Sequence, residues 1–208
     1  MKAYIFDLDG TLISFSIDFE KMRKAVKELY LEEGIDLSFV PMLENIEKAS
    51  LILREKGLPQ NYIEELKRKA MEIIDEIEIE SIREAYVLPY VVEKLTELRN
   101  SGAKIAVVTR AGKRHLRLGI DKIGFEFDAA ICREDVKEPK PSPESYLKAL
   151  ERMGCKDCKD VIVVGDYVFD IEAGRAIGAY CVGVLTGSGT RELLSCADLV
   201  IENFKHLP

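Results

Sequence analysis

The sequence lacks an apolar run long enough to cross a membrane, and its first residues do not follow the pattern of a secretory signal. We therefore expect no membrane-spanning segment and a cytoplasmic location. The chain has only five cysteines, an odd number at irregular spacing, which excludes the disulfide framework of a small secreted domain. It also lacks internal repeats, low-complexity tracts and a basic patch. The last absence excludes nucleic acid as a partner.

The composition is that of a globular protein. Of the 208 residues, 47% are hydrophobic and 32% are charged, enough for one sizeable core or a core with a second small unit. The net charge is −7, and residues 12–86 carry most of it, with 17 acidic against 11 basic residues. A small anionic substrate can still bind where local cations oppose this field. Nothing in the sequence indicates an obligate protein partner.

Residues 12 to about 86 are predicted to be helical throughout. Apolar residues recur at the helical period in three stretches. The first helix has Asp18 as its expected N-cap and stops near Gly34. The second ends near Gly57, and the third begins after Pro59.

From Pro89 onward, continuous apolar strands alternate with helices, which is typical of a parallel sheet covered on both faces. Strands are predicted at 3–6, 104–108, 128–132, 161–164, 180–184 and 199–201, and helices at 90–99, after 110, at 142–153 and from about 169. The predicted fold class is α/β, a doubly wound, Rossmann-like core of residues 1–13 and 87–208. The helical segment, residues 14–86, is inserted after the first strand and is expected to act as a cap domain.

Two carboxylates, Asp7 and Asp9, directly follow the first strand, and Gly10 and Thr11 turn the chain after them. Chemistry in such sheets lies outside the carboxyl ends of the strands. Two acids one residue apart at that edge favour a hard cation such as Mg²⁺. Asp7 is then a candidate nucleophile and Asp9 a candidate proton donor. A calcium loop of the EF-hand kind does not fit, whereas a solvated acidic turn stays open on this motif alone.

Three further strand ends carry polar residues. The second predicted strand ends in Thr109 and Arg110, the loop after the third holds Lys140, and the fourth ends in Gly165 and Asp166, with Asp170 four residues later. Together with the acidic pair they supply a nucleophile, a hydroxyl donor, a cation and a further metal ligand. Phosphoryl transfer needs this combination.

These four motifs, DLDGT (7–11), VVTR (107–110), KPSP (140–143) and GDYVFD (165–170), resemble those of the haloacid dehalogenase superfamily. The position of the helical insert is similar to the branch whose α-helical cap lies between the first two motifs. The sequence after the fourth motif, DIEAGRAIGAYCVGVLTG, resembles phosphoglycolate phosphatases. The resemblance runs along nearly the whole chain.

The resemblance implies a role for each matched residue. Asp7 attacks phosphorus and becomes a transient aspartyl phosphate, while Asp9 protonates the leaving oxygen and then deprotonates water. Mg²⁺ is held by Asp7, the backbone carbonyl of Asp9, and Asp166, with Asp170 in the outer shell. Phosphate oxygens are bound by Thr109, by Lys140 and by the backbone amides from Leu8 to Gly10.

Each residue also has an ordinary structural role that the sequence leaves open. Thr109 can cap the following helix, Lys140 can be a surface lysine, and Asp166 and Asp170 can stabilise a helix N-terminus. Their coincidence at one sheet edge argues against these roles jointly.

Two positions depart from the family pattern. Arg110 stands where relatives commonly have asparagine, and Tyr167 where serine or threonine is usual. Arg110 is expected either to contact phosphate or a second anionic group of the substrate, or to face outward.

Two other patterns carry little weight. Gly183, Gly187 and Gly189 lack the third glycine of a dinucleotide-binding fingerprint. Cys155 and Cys158 form a single CxxC without the second pair that a zinc site needs. His115 and His206 have no partners at triad or metal spacing, so surface positions are predicted for both.

The predicted function is a Mg²⁺-dependent phosphatase acting on a small phosphorylated metabolite, with phosphoglycolate favoured by the resemblance. The alternatives are a sugar-phosphate mutase of the β-phosphoglucomutase type and a non-catalytic binding or regulatory protein on the same fold. DGT rather than DGV weighs mildly against the mutase, and the presence of both Asp7 and Asp9 weighs against a non-catalytic role.

Overall fold

The chain divides into two units in the computed structural model, which describes residues 2–155 and 160–208. The core unit comprises the residues up to Ser16 together with Glu84–Pro208, and the helical unit comprises Ile17–Arg83. The sequence prediction placed the two boundaries after residues 13 and 86, a few residues from these positions. Among the described residues, no helix combines the length and the apolar character that crossing a membrane requires.

The core unit is built on one parallel sheet. Its strands are β1 (Lys2–Phe6), β2 (Lys104–Val108), β3 (Ala129–Ile131), β4 (Asp160–Gly165), β5 (Tyr180–Val184) and β6 (Leu199–Ile201). They lie in the order β3-β2-β1-β4-β5-β6, and every neighbouring pair is parallel. The predicted doubly wound α/β fold is confirmed.

Strand β1 lies at the centre of the sheet, where Ile5 is paired with Ala106 of β2 and Val163 of β4. The chain adds β2 and β3 on one side of β1 and then returns to add β4, β5 and β6 on the other. The strand order therefore reverses between β1 and β4. In doubly wound sheets, a crevice opens at the carboxyl ends of the strands at such a reversal.

The helical unit contains α1 (Phe19–Leu31), α2 (Met42–Glu55) and α3 (Gln60–Glu84), as the apolar periodicity predicts. The side chain of Asp18 accepts a hydrogen bond from the backbone N–H of Lys21 at 2.8 Å, so Asp18 is the N-cap of α1. The apolar faces of the three helices form a core of their own. Within it, the rings of Tyr30 and Phe39 lie 5.3 Å apart.

Four helices connect the strands of the core unit: α4 (Val91–Asn100), α5 (Lys113–Ile123), α6 (Glu144–Arg152) and α7 (Val168–Ala176). On one face of the sheet, Ile5 belongs to a buried cluster with Tyr146 of α6 and Ile171 of α7. On the other face, the ring of Phe6 stacks on Phe204 at 5.7 Å. Two short 3₁₀ turns, Arg133–Asp135 and Phe204–His206, were not predicted.

Candidate active site

Asp7 lies at the carboxyl end of β1, beside the point where the strand order reverses. Its backbone N–H donates to the carbonyl oxygen of Val164 at 2.9 Å, so it continues the pairing of β1 with β4. Asp7 as a residue is only 7% exposed. This carboxylate is therefore fixed by the sheet itself, at the edge where the sequence predicts the chemistry.

The turn after Asp7 is closed by backbone hydrogen bonds. Gly10 adopts φ +83°, a left-handed conformation that favours glycine. Its N–H donates to the carbonyl oxygen of Ile13 at 2.8 Å. The prediction counted the Gly10 amide among the phosphate ligands, but this bond already occupies it. We therefore assign Gly10 to the geometry of the turn and keep the phosphate proposal for the amides of Leu8 and Asp9.

Lys140 reaches the nucleophile from the loop before α6. Its ammonium, which is almost fully buried, donates to Asp7 Oδ1 at 2.5 Å, to Asp170 Oδ1 at 2.7 Å and to the carbonyl oxygen of Val108 at 3.1 Å. All three donors of the ammonium are thus used. Burial opposes its charge, but the carboxylates of Asp170 and Asp7 outweigh this and raise the pKa of Lys140. The surface position that the sequence left open is excluded.

Asp7, Asp166 and Asp170 form a buried acidic cluster with one carboxylate oxygen from each within 4.8 Å of the others. Within residues 2–155 and 160–208, the ammonium of Lys140 is the one cation that hydrogen-bonds to these carboxylates, and it contacts Asp7 and Asp170. Burial, followed by the charges of Asp170, Asp166 and Asp9, raises the pKa of Asp7 well above its usual range, although Lys140 acts in the opposite direction. The cluster therefore carries more negative charge than its surroundings neutralise, and carboxylate oxygens are the preferred ligands of Mg²⁺.

The loop after β5 holds Asp166 in place. Oδ2 of Asp166 accepts hydrogen bonds from the N–H of Ser188 at 2.7 Å and from its hydroxyl at 3.1 Å. A Cβ atom on Gly187 would lie only 2.0 Å from the same oxygen, so a larger residue would displace the loop or the carboxylate. The glycines of this segment thus bring backbone close to Asp166.

Asp170 acts both in the cluster and at a helix terminus. Its Oδ1 accepts from Lys140 and, at 3.0 Å, from the hydroxyl of Tyr146, while Oδ2 accepts from the N–H of Tyr167 at 3.2 Å, before the first turn of α7. Asp170 therefore caps the start of α7, a role that the sequence left open, and it also accepts a hydrogen bond from Lys140. Sequence analysis missed Tyr146, whose only signal is an apolar position on α6.

Thr109 and Arg110 follow β2 at the same edge of the sheet. The Thr109 hydroxyl oxygen accepts from the N–H of Ala111 at 3.0 Å, which leaves its proton to be donated elsewhere. The N-cap of α5 is Gly112, so Thr109 does not cap that helix. The Arg110 guanidinium donates to the carbonyl oxygen of Lys140 and lies 5.0 Å from the centre of the Phe169 ring. Arg110 thus links the second, third and fourth motifs, and its contact with substrate stays a prediction.

His115 is not at the surface, contrary to the sequence prediction. It is 1% exposed, and its Nε2 lies 2.7 Å from Oδ1 of Asp9, which is itself buried. The prediction failed because the partner is 106 residues away in sequence, where no spacing rule applies. His206 is exposed, as predicted. Cys155 is buried in the core. Cys158 lies outside the described residues, so the structure does not test whether the two cysteines form a site.

Comparison with known proteins identifies the family. The model of the haloacid dehalogenase-like hydrolases matches residues 4–184. The chain belongs to this family.

Individual relatives cover the chain to different extents. A phosphoglycolate phosphatase from Aquifex aeolicus is 30% identical over 194 residues, which are 90% of this chain and 86% of that protein. The pyrophosphatase PpaX from Bacillus velezensis is 38% identical over 96 residues, and the match spans 45% of this chain and 44% of PpaX. A crystal structure of a hydrolase from Pseudomonas syringae superposes with a TM-score of 0.67 at 25% identity, covering 98% of this chain and 94% of that one. The predicted family is confirmed, and the relatives' names agree with the predicted enzyme class.

The acidic cluster of this haloacid dehalogenase-like hydrolase makes the stability of the metal-free protein depend on pH through Asp166. Burial, and then the charge of Asp170, raises the pKa of Asp166 to about 6 against the bonds from Ser188. Folded Asp166 holds its proton more tightly than the unfolded residue. Its contribution to stability is therefore full below the unfolded pKa and is lost as the pH rises through about 6.

We expect the free energy of unfolding of the wild type, relative to Asp166→Asn, to fall by about 2 kcal/mol between pH ~4 and pH ~7.5. Denaturant unfolding in EDTA measures both proteins at each pH. The asparagine variant cancels the contributions of all distant groups. If the free energies of unfolding of the wild type and of Asp166→Asn changed with pH in parallel, Asp166 would not be buried among like charges.

Proposed function

We propose that this protein is a Mg²⁺-dependent phosphatase that hydrolyses a phosphomonoester of a small metabolite through an aspartyl phosphate on Asp7. The observation that supports this best is the immediate surroundings of Asp7. Its carboxylate is fixed by the sheet, accepts a 2.5 Å hydrogen bond from the buried Lys140, and has Asp166 and Asp170 beside it. A carboxylate so placed is both a nucleophile and a ligand.

The first half of the proposed reaction transfers the phosphoryl group to the protein. A carboxylate oxygen of Asp7 forms a bond to phosphorus while the bond from phosphorus to the ester oxygen breaks. Asp9 gives its proton to that oxygen, so the alcohol leaves neutral. Thr109 and the amides of Leu8 and Asp9 are proposed to hold the phosphate oxygens, while the charge of Lys140, whose donors stay on Asp7, Asp170 and Val108, reduces the repulsion between the two anions.

The second half releases phosphate and restores the carboxylates. Asp9, now ionised, accepts a proton from a water molecule as the water oxygen bonds to phosphorus. The bond between phosphorus and the Asp7 oxygen breaks, and its electron pair returns to the carboxylate. Asp9 thus alternates between acid and base, with no net proton left on the protein.

The residues present fit a magnesium ion, because three buried carboxylates lie together and the ammonium of Lys140 contacts two of them. Asp7, Asp166 and the backbone carbonyl of Asp9 would hold the ion, with Asp170 supporting it from behind. The ion supplies neutralisation of the charge on the nucleophile and on the phosphate. The Lys140 and Tyr146 bonds to Asp170 are consistent with such an outer position.

We propose phosphoglycolate as the favoured substrate on two grounds: the resemblance of the segment after the fourth motif, and the phosphoglycolate phosphatase among the relatives. We keep the proposal that the helical unit is a cap that selects the substrate. A carboxylate-bearing substrate would need a cation there. Helix α1 offers cations such as Lys21, which is ion-paired with Glu80, and Arg23, which is half-buried.

The experiment is phosphate release from a panel that includes phosphoglycolate, pyrophosphate and sugar phosphates, with Mg²⁺ or with EDTA. We expect release only with Mg²⁺ and fastest with phosphoglycolate. If pyrophosphate reacted faster, the proposed mechanism would stand, but pyrophosphate would replace phosphoglycolate as the proposed substrate. Release that requires a sugar bisphosphate activator would indicate a mutase, and no release from any substrate by the folded protein would contradict the proposed function.

A further inference from the structure

Among the described residues, His115 on α5 is the hydrogen-bond partner of the Asp9 side chain, and both residues are buried. Its Nε2 lies 2.7 Å from Oδ1 of Asp9, with His115 1% and Asp9 8% exposed. The contact engages one oxygen of the carboxylate. The described hydrogen bonds leave the other oxygen, Oδ2, without a donor.

Helix α5 packs against Leu8 and Asp9 through residues on two successive turns of the helix. Gly119 lies four residues after His115 and so faces the same side of the helix. A Cβ atom on Gly119 would come within 2.9 Å of Leu8 Cδ2, a separation that real side chains do not adopt. The glycine therefore lets α5 approach Leu8 closely, and this approach brings the imidazole within reach of Asp9, the next residue along the chain.

An acid–base aspartate needs such a restraint more than the nucleophile does. Asp7 is already fixed by Lys140, whereas Asp9 must present the same oxygen first to the leaving group and then to water. Proton transfer requires hydrogen-bond distance and alignment, and a carboxylate free to rotate spends less time in that geometry. A buried donor on Oδ1 restricts this rotation.

We propose that His115 is a positioning residue for Asp9: its Nε2–H donates to Oδ1 and holds Oδ2 in the orientation that proton transfer requires. The inference rests on the proposed function, since it assigns Asp9 the acid–base role. His115 acts through Asp9. No motif of the sequence marks it.

The test compares His115→Leu, which removes the donor, with His115→Gln, whose amide can place an N–H near the position of Nε2. The readout is kcat/KM for a series of aryl phosphates that differ in leaving-group pKa, because this ratio reports the steps up to transfer to Asp7. Poor leaving groups need protonation by Asp9, whereas good ones do not. We expect His115→Leu to lose about 10- to 100-fold with the poorest leaving group and less than about 3-fold with the best.

Two comparisons separate positioning from a purely structural role. His115→Gln is expected to recover most of the loss with poor leaving groups. Combining His115→Leu with Asp9→Asn is expected to be no worse than Asp9→Asn alone, because a residue that acts by positioning Asp9 has no further effect once the carboxylate is gone. Leu116→Ala, a buried α5 residue next to His115, is the control: it lowers stability but leaves the leaving-group dependence unchanged.

A uniform loss across the series in His115→Leu, or additive effects of the two substitutions, would overturn the inference. If His115→Leu does not fold, the glutamine variant decides alone: a loss above about 3-fold that is uniform across the leaving groups, in a folded protein, overturns it. Failure of the proposed function gives a different result, because the wild type itself would then release no phosphate from any substrate.

Discussion

Asp7→Asn is expected to lower phosphate release by at least about 10⁴-fold, the size of effect seen when a nucleophile is removed. The asparagine amide cannot form the acyl phosphate, and it does not replace the carboxylate as a nucleophile. The fold should persist, because Asp7 is one of several like charges whose burial raises its pKa. Without metal, the variant is expected to unfold at the same or a higher temperature than the wild type. Activity should thus be lost without a loss of stability.

Asp160→Asn is the matched control for this substitution. It makes the same chemical change on the same sheet, but Asp160 is the first residue of β4, exposed at the opposite end of the strand. It should leave phosphate release unchanged. Retention of more than about one hundredth of wild-type release in Asp7→Asn, with contaminating phosphatase excluded, would contradict the role of Asp7 as nucleophile.

Lys140→Met is expected to impair both activity and stability. Removing the ammonium leaves Asp7 and Asp170 buried without their cation and the carbonyl of Val108 without its donor. Breaking a buried ion pair in this way costs about 3–5 kcal/mol of unfolding free energy. The Lys113→Met substitution on α5, at an exposed position, is the control and should cost little.

Denaturant unfolding at neutral pH measures this loss, in EDTA so that no added metal contributes. A second substitution tests the cause: in Lys140→Met/Asp170→Asn one uncompensated carboxylate is gone, so part of the stability should return. Additive losses in the double variant would show that the destabilisation does not arise from the unpaired charges. Wild-type stability in Lys140→Met would show that the buried contacts are not formed.

Much of the fold can be predicted from the sequence because its signals are local. The strands β2, β5 and β6 are continuous apolar runs, and their predicted bounds match the structure. The 3₁₀ turns could not be predicted, since turns such as Phe204–His206 depend on packing against the sheet. The parallel, doubly wound arrangement also follows from the alternation of strands and helices, whereas the order of the strands was not predicted.

The residues of the candidate site also divide into those with a local sequence signal and those without one. Asp7, Lys140 and Asp166 were identified because each stands in a motif at the end of a strand or in the loop that follows. His115 and Tyr146 were missed, because their partners lie on other elements and a lone histidine or tyrosine on a helix face has no distinguishing pattern. In both cases the missing information is the packing of a helix against the catalytic edge of the sheet.

The central claim, a covalent phosphate on Asp7, is tested most directly by trapping it. Asp9→Asn should accept phosphate from acetyl phosphate in the presence of Mg²⁺, because this leaving group needs no protonation, and should then hydrolyse the adduct slowly. After an acid quench, borohydride reduces an acyl phosphate to an alcohol, which mass spectrometry of the peptides locates. We predict the reduced residue at position 7, and none in Asp7→Asn/Asp9→Asn. Reduction at another residue, or phosphate release from Asp9→Asn without any adduct, would contradict the account.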